Sequence, residues 1–229
     1  IAINNKGIRD LPKPTIRLSK EELLMARKMI AEVKDKTGKD KIVVVQPFGR
    51  SAHPENLTEK QMKEDKQPDI ADVTGRSIEL KNVWSIVRKL SKKYGVMMMS
   101  EFPLEFKKHM SSPVATPMNV HIRIWMAVIK QANHFVGCDS VGQHIAYAFN
   151  GTSTVLIGST YPVNTSFPDS DNVDIIDLGL EDRVYSPIRI TSDEFSDRTN
   201  EGIMAMDDQS EDKVIKSVEK MLKHSKNKQ

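Results

Sequence analysis

The stretch HFVGCDSVGQHIAYAFNG, residues 134–151, decides how the whole chain is read. Its first five residues, HFVGC, are an apolar run with the length of a buried strand. Asp139, Ser140, Val141 and Gly142 interrupt that run, and GQHIAYAFN resumes the apolar pattern as a short helix. A buried strand that turns straight into a helix is the repeating unit of a parallel α/β sheet. In such sheets ligands bind beyond the carboxyl ends of the strands, where helix N-termini offer free amides and the positive end of a dipole. Asp139 to Gly142 lie at one of these junctions. Ser140 is expected to cap the helix, Gly142 to let a ligand approach the backbone, and His144 to face back toward that end.

The same alternation runs outward in both directions. KIVVVQPFG (41–49) is a β-branched run closed by Pro47 and Gly49 and reads as a buried parallel strand. VMMMS (96–100), TSTVLIGS (152–159) and VDIIDL (173–178) read as further strands. Ser19 with Glu22 matches a capping box and opens a helix with Leu23, Leu24, Ala26, Met29 and Ile30 as its stripe. SIELKNVWSIVRKLSKKYG (77–95) is amphipathic, with Ile78, Val83, Ile86, Val87 and Leu90 on one side and Gly95 as its stop. MNVHIRIWMAVIKQAN (118–133) and SEDKVIKSVEKMLKHSK (210–226) are two more helices. Residues 51–77, with Pro54 and Pro68, read as a long loop, and 180–208 as irregular polar chain. The expected class is α/β with a Rossmann-like, doubly wound parallel sheet. Residues 39–208 read as one domain, 1–38 as a linker and lead-in helix from a preceding domain, and 209–229 as a closing helix.

Composition narrows the function classes. The 229 residues are 38% hydrophobic, enough for a substantial core. A lone Cys138 excludes an internal disulfide framework and points to a reducing compartment, the cytoplasm. No run of eighteen apolar residues occurs, and the opening IAINNKGIRD lacks the pattern of a signal peptide. The net charge is +3, with acids interspersed among the bases, so the clustered basic face that nucleic-acid binding needs is missing. Mild basicity suits an anionic small ligand and a membrane surface equally. His121, His134 and His144 fall on separate elements and make no zinc spacing. The D-x-D of PDSDN (168–172) lies in a proline-flanked polar loop and reads as a solvated turn, not a metal site.

The order of these motifs resembles the donor-binding half of glycosyltransferase family 9, the heptosyltransferase family. Asp139, Ser140, His144, Ala146 and Ala148 are similar to the family's D-[ST]-G-x-x-H-L-A-A-A-L, and Gly158, Thr160 and Pro162 to the G-x-T-x-P that follows. GRSIELKNVW (75–84) resembles the family's basic K-x-W-P-x-x-x-W region without its central W-P, and SEFPLEF (100–106) its ribose-binding loop. Val141 stands where the family has glycine, with the glycine displaced by one to Gly142.

The resemblance implies one half of a GT-B architecture that binds a nucleotide diphosphate sugar, ADP-linked by preference, with no cofactor and no metal. It implies that Ser140 and the amides of Val141 and Gly142 hold the diphosphate, near Thr160. Asp139 would orient the turn or a sugar hydroxyl, and His144 would contact phosphate or sugar. Arg50 or Arg76 would counter the leaving diphosphate, Glu105 would accept from the ribose, and Met118 would lie against the base. The implied reaction is inverting transfer of a sugar to a glycan or lipid-linked acceptor, at the cytoplasmic membrane face. Acceptor and catalytic base would come from an N-terminal domain or partner chain. A non-catalytic binding or assembly module on the same fold is the alternative.

Overall fold

The computed structural model describes residues 13–56, 69–72, 74–106, 110–183 and 202–224. Six strands form one parallel sheet: β1 (Ile42–Gln46), β4 (Gly95–Met98), β5 (Val114–Ala115), β6 (His134–Cys138), β7 (Ser153–Ile157) and β8 (Val173–Asp177). They lie in the order β5-β4-β1-β6-β7-β8. Winding starts at β1, runs outward to β5, then returns to β6 and runs the other way, which is the doubly wound order of Rossmann-like sheets. β1 and β6 are therefore neighbours at the point where the direction of winding reverses.

Period-two alternation along the strands assigns the helices to two layers. Val43 and Val45 of β1 face a core shared with α2 (Leu80–Ser91) and the closing helix α6 (Asp208–His224). Ile42 and Val44 face the opposite core, shared with α1 (Lys20–Thr37), α3 (Ile122–Gln131) and α4 (Val141–Ala148). The expected stripe is buried as read, Val83, Ile86, Val87 and Leu90 on α2 and Ile78 just before it, all at or below 2% exposure. The Ser19–Glu22 capping box on α1 is present with both bonds. Glu22 also pairs with Arg123 at 2.7 Å, fastening α1 to α3.

Several expectations are corrected. On α1 the buried stripe is Ala26, Ile30 and Val33, and Leu23 and Met29 pack half-buried against the same core as expected, while Leu24 is 52% exposed and lies off that face. Gly95 does not stop α2, which ends at Ser91; it is the first residue of β4, where an added Cβ would stand 2.6 Å from Ile42 Cδ1. The sheet has a sixth strand, β5, only two residues long beside Pro113 and too short to show a period. Within 51–77, β2 (His53–Pro54) and β3 (Ile70–Ala71) pair as a small antiparallel ribbon. In the region read as irregular, residues 184–201 lie outside the described residues, whereas Met204 and Met206 are buried under α2 and α6. A four-residue helix, α5 (Pro162–Thr165), follows β7.

Candidate functional site

The carboxyl ends of β1 and β6 meet at the reversal of winding, and Gln46 bridges them. Its Oε1 accepts the Gly142 N–H at 2.9 Å, and its Nε2 donates to Ser140 Oγ at 2.9 Å. The N-terminus of α4 is thus capped from another strand. Ser140 occupies the N-cap position with extended backbone but makes no cap bond of its own, contrary to the expectation from sequence. Gly142 likewise has a different purpose from the one expected. An added Cβ there would lie 2.4 Å from Gln46 Oε1 and 2.4 Å from Phe135 Cζ. The glycine makes room for neighbouring side chains, and its amide is already bonded, so it does not open the backbone to a ligand.

In front of this junction lies a cavity of about 1040 Å³, walled by the loops that follow β1, β4, β5, β6 and β7 and by the start of α3. Its apolar lining is Phe48, Met99, Phe102, Val120, Ile122 and Trp125, and its polar lining includes Arg50, Arg76, Ser140, His144 and Thr160 with the carboxylates Glu101 and Asp139. Among the described residues neither Arg50 nor Arg76 forms an ion pair. Two guanidinium groups without an ion pair among the described residues, in a cavity that Ser140 at the head of α4 also lines, make it attractive to an anion.

The arginines are held by a polar web behind them. Asp72 accepts from the Thr74 amide at 2.8 Å and from the Ser77 amide at 3.1 Å, and also from both hydroxyls. Ser77 Oγ in turn accepts the Gly49 N–H at 2.9 Å, and the Ser159 hydroxyl donates to the Thr74 carbonyl. Thr74 Oγ1 accepts from Arg76 Nε at 3.3 Å. This web ties the Arg76 loop to the Gly49–Arg50 turn and to the loop after β7.

Asp139 is 6% exposed, and both of its oxygens are engaged. Oδ1 accepts from Gln143 Nε2 at 2.8 Å and Oδ2 from Thr160 Oγ1 at 2.9 Å. It holds the β6 and β7 loops in register. His144 stands at the rim, edge-on to Phe167 with centroids 5.5 Å apart. Partial desolvation holds its pKa below the ordinary histidine value, against the opposing pull of Asp139.

Of the residues singled out from sequence, Arg50, Arg76, Asp139, Ser140, Val141, His144 and Thr160 line this one cavity. Gly142 lies buried behind it. Glu105 and Met118 are not among its walls: Leu104 and Phe106 on either side of Glu105 are buried in the α2 core, and Glu101 lines the cavity instead. Near Met118, the lining residues are Asn119, Val120 and Ile122. Gln46, Asp72, Thr74 and Ser77 were not legible as site residues, although Asp72 to Gly75 carries the signature of a tight turn, aspartate at its start and glycine at its end. Asp169 and Asp171 of the D-x-D sit apart from this cavity, beside Lys13 and the stacked Tyr147–Phe167 pair. Among the described residues no group of three histidine, cysteine or carboxylate side chains converges as a metal site.

No protein-family model matches the chain, and no curated protein matches it. Solved structures do. The glycosyltransferase family 9 structure from Veillonella parvula superposes with a TM-score of 0.58 at 12% identity, over 92% of this chain and 54% of that one. The ADP-heptose LPS heptosyltransferase II of E. coli gives a TM-score of 0.56 at 13% identity, over 94% of this chain and 56% of that one. The chain therefore has the fold seen in these glycosyltransferases, and it spans about half the length of each.

Proposed function

We propose that this chain is the donor-binding domain of a glycosyltransferase, holding a nucleotide diphosphate sugar in the cavity at the β1–β6 junction. One observation carries the reading. Arg50 and Arg76, from separate loops, converge without an ion pair among the described residues on the same cavity as Ser140 and the N-terminus of α4. A diphosphate placed there meets two cations and a hydroxyl, while the nucleoside lies along the apolar wall of Phe102, Val120 and Trp125. As the sugar leaves for its acceptor, negative charge grows on the diphosphate, and the arginines stabilise that charge. Glycan or lipid-linked acceptor and general base come from a second domain or partner chain facing this cavity. The E. coli enzyme is named for an ADP-linked heptose, which makes ADP the first nucleotide to test.

The second reading, a binding or assembly module without catalysis, is favoured by the Gly142 amide, which Gln46 already occupies. Calorimetric titration with ADP, UDP and GDP separates the two, beside a Ser140→Ala, His144→Ala double variant. The donor reading expects one nucleotide to bind and the variant to lose it. Failure of all three to bind would leave the module reading.

A further inference from the structure

We infer that Gln46 is a positioning residue for the diphosphate: by donating to Ser140 Oγ it turns the hydroxyl proton away from the junction, so that this proton is given to the ligand. The inference rests on the donor-site reading and adds to it a residue on the opposite strand of the winding reversal.

The orientation of the Gln46 carboxamide follows from chemistry. A backbone N–H is only a donor, so the atom that faces Gly142 N at 2.9 Å is the carbonyl oxygen. The amide nitrogen then faces Ser140 Oγ at 2.9 Å, and because that nitrogen only donates, Oγ is the acceptor. The hydroxyl proton of Ser140 is left over. Among the described residues no acceptor for it is present, and Ser140 lines the cavity. A phosphate oxygen is an acceptor without a proton of its own at neutral pH, and a short hydroxyl-to-phosphate bond is the partner this proton needs. Gln46 itself is 8% exposed and is held between two elements, so its carboxamide has little freedom to turn. One side chain thereby performs two tasks: it caps α4 and sets the polarity of the adjacent hydroxyl.

Two substitutions separate these tasks. Gln46→Met keeps the length and removes both bonds. Gln46→Glu keeps an acceptor for the Gly142 amide, so the helix stays capped, but its carboxylate accepts the Ser140 proton and turns it away from the cavity. Inorganic pyrophosphate, titrated calorimetrically into the full chain, is the probe. Wild type binds, and Gln46→Met and Ser140→Ala each lose about tenfold in affinity, the scale of one charge-assisted hydrogen bond. The Gln46→Met, Ser140→Ala double variant loses little more than either alone, because both substitutions remove the same bond. Gln46→Glu loses more at neutral pH, and its deficit relative to wild type narrows as pH falls and the new carboxyl takes up a proton. Because relief of charge repulsion narrows that deficit as well, the readout that distinguishes positioning is the non-additivity of Gln46→Met with Ser140→Ala. If wild type binds pyrophosphate and Gln46→Met binds equally, or if the two single losses add in full, the inference is overturned and the donor reading stands. If wild type binds no pyrophosphate, both fall together.

Discussion

Replacing Gly142 with alanine tests how the α4 junction is built. The new Cβ would stand 2.4 Å from Gln46 Oε1 and 2.4 and 2.5 Å from Phe135 Cζ and Cε2. Contacts between such atoms are favourable only beyond about 3.5 Å, so both neighbours must retreat by roughly an ångström. The ring of Phe135 is 2% exposed, so its retreat must displace other core atoms. Gln46 is free to move only by releasing the Gly142 amide. Overpacking costs about 1–3 kcal/mol. Loss of the capping bond costs about 1 kcal/mol more. The intrinsic preference of a helix for alanine over glycine returns at most about 1 kcal/mol. The net destabilisation is about 2 kcal/mol, a fall in Tm of roughly 4–8 °C for a chain of this length. Thermal unfolding followed by circular dichroism reads this directly. A Gly142→Ala variant that melts with the parent would refute the packing account and restore an open glycine to the site.

Three further outcomes follow from other parts of the fold. His134 is fully buried between Thr152 and Thr154, and burial pushes its pKa from 6.5 down to about 3. The unfolded chain therefore binds a proton that the folded chain refuses, so this residue makes stability fall as pH drops below 6.5, by up to about 1.4 kcal/mol per pH unit. His134→Gln should show a shallower acid limb in urea unfolding measured from pH 7 to pH 4. Glu211 accepts from Asn82 at 2.9 Å and Lys89 at 3.0 Å, and also from the Ser85 hydroxyl, fastening α6 onto α2. Burial works against its charge, yet these bonds hold its pKa below the usual glutamate value. Glu211→Ala removes these bonds but leaves Lys89 with Asp212 and Asn82 with the Met206 carbonyl, and should cost about 2 kcal/mol in the same assay. Arg50→Ala and Arg76→Ala should each weaken nucleotide affinity without moving Tm, and each should flatten its dependence on salt, since either removes a cation from the cavity.

Much of the architecture was legible because buried parallel strands are short apolar runs between polar junctions. IVVVQ, HFVGC and STVLI each became a fully buried strand. β5 escaped because two residues carry no period, and Gly95 was misplaced because a glycine after a helix and a glycine under a neighbour's side chain look alike in sequence. The strand-to-helix junction at Asp139–Gly142 was found by its position in the alternation. What sequence missed there depends on long-range contact. Gln46 and Ser140 are 94 residues apart, and only the winding order puts them side by side. Gly142 was read as an opening because nothing in the sequence tells that Phe135, seven residues earlier, folds back over it. Arg50 and Arg76 were picked out singly, but their common cavity depends on Asp72 and Ser77, whose bonds close the loop between them.

In the proposed function the cavity at the β1–β6 junction receives a nucleoside diphosphate. Titrating the ¹⁵N-labelled chain with ADP and following backbone amide resonances tests it most directly. Saturable shifts are expected at Arg50, Ser140, Val141 and His144, with the resonances of α6, on the far layer, unmoved. Shifts confined to other parts of the chain, or none as ADP is raised to millimolar concentration, would contradict it.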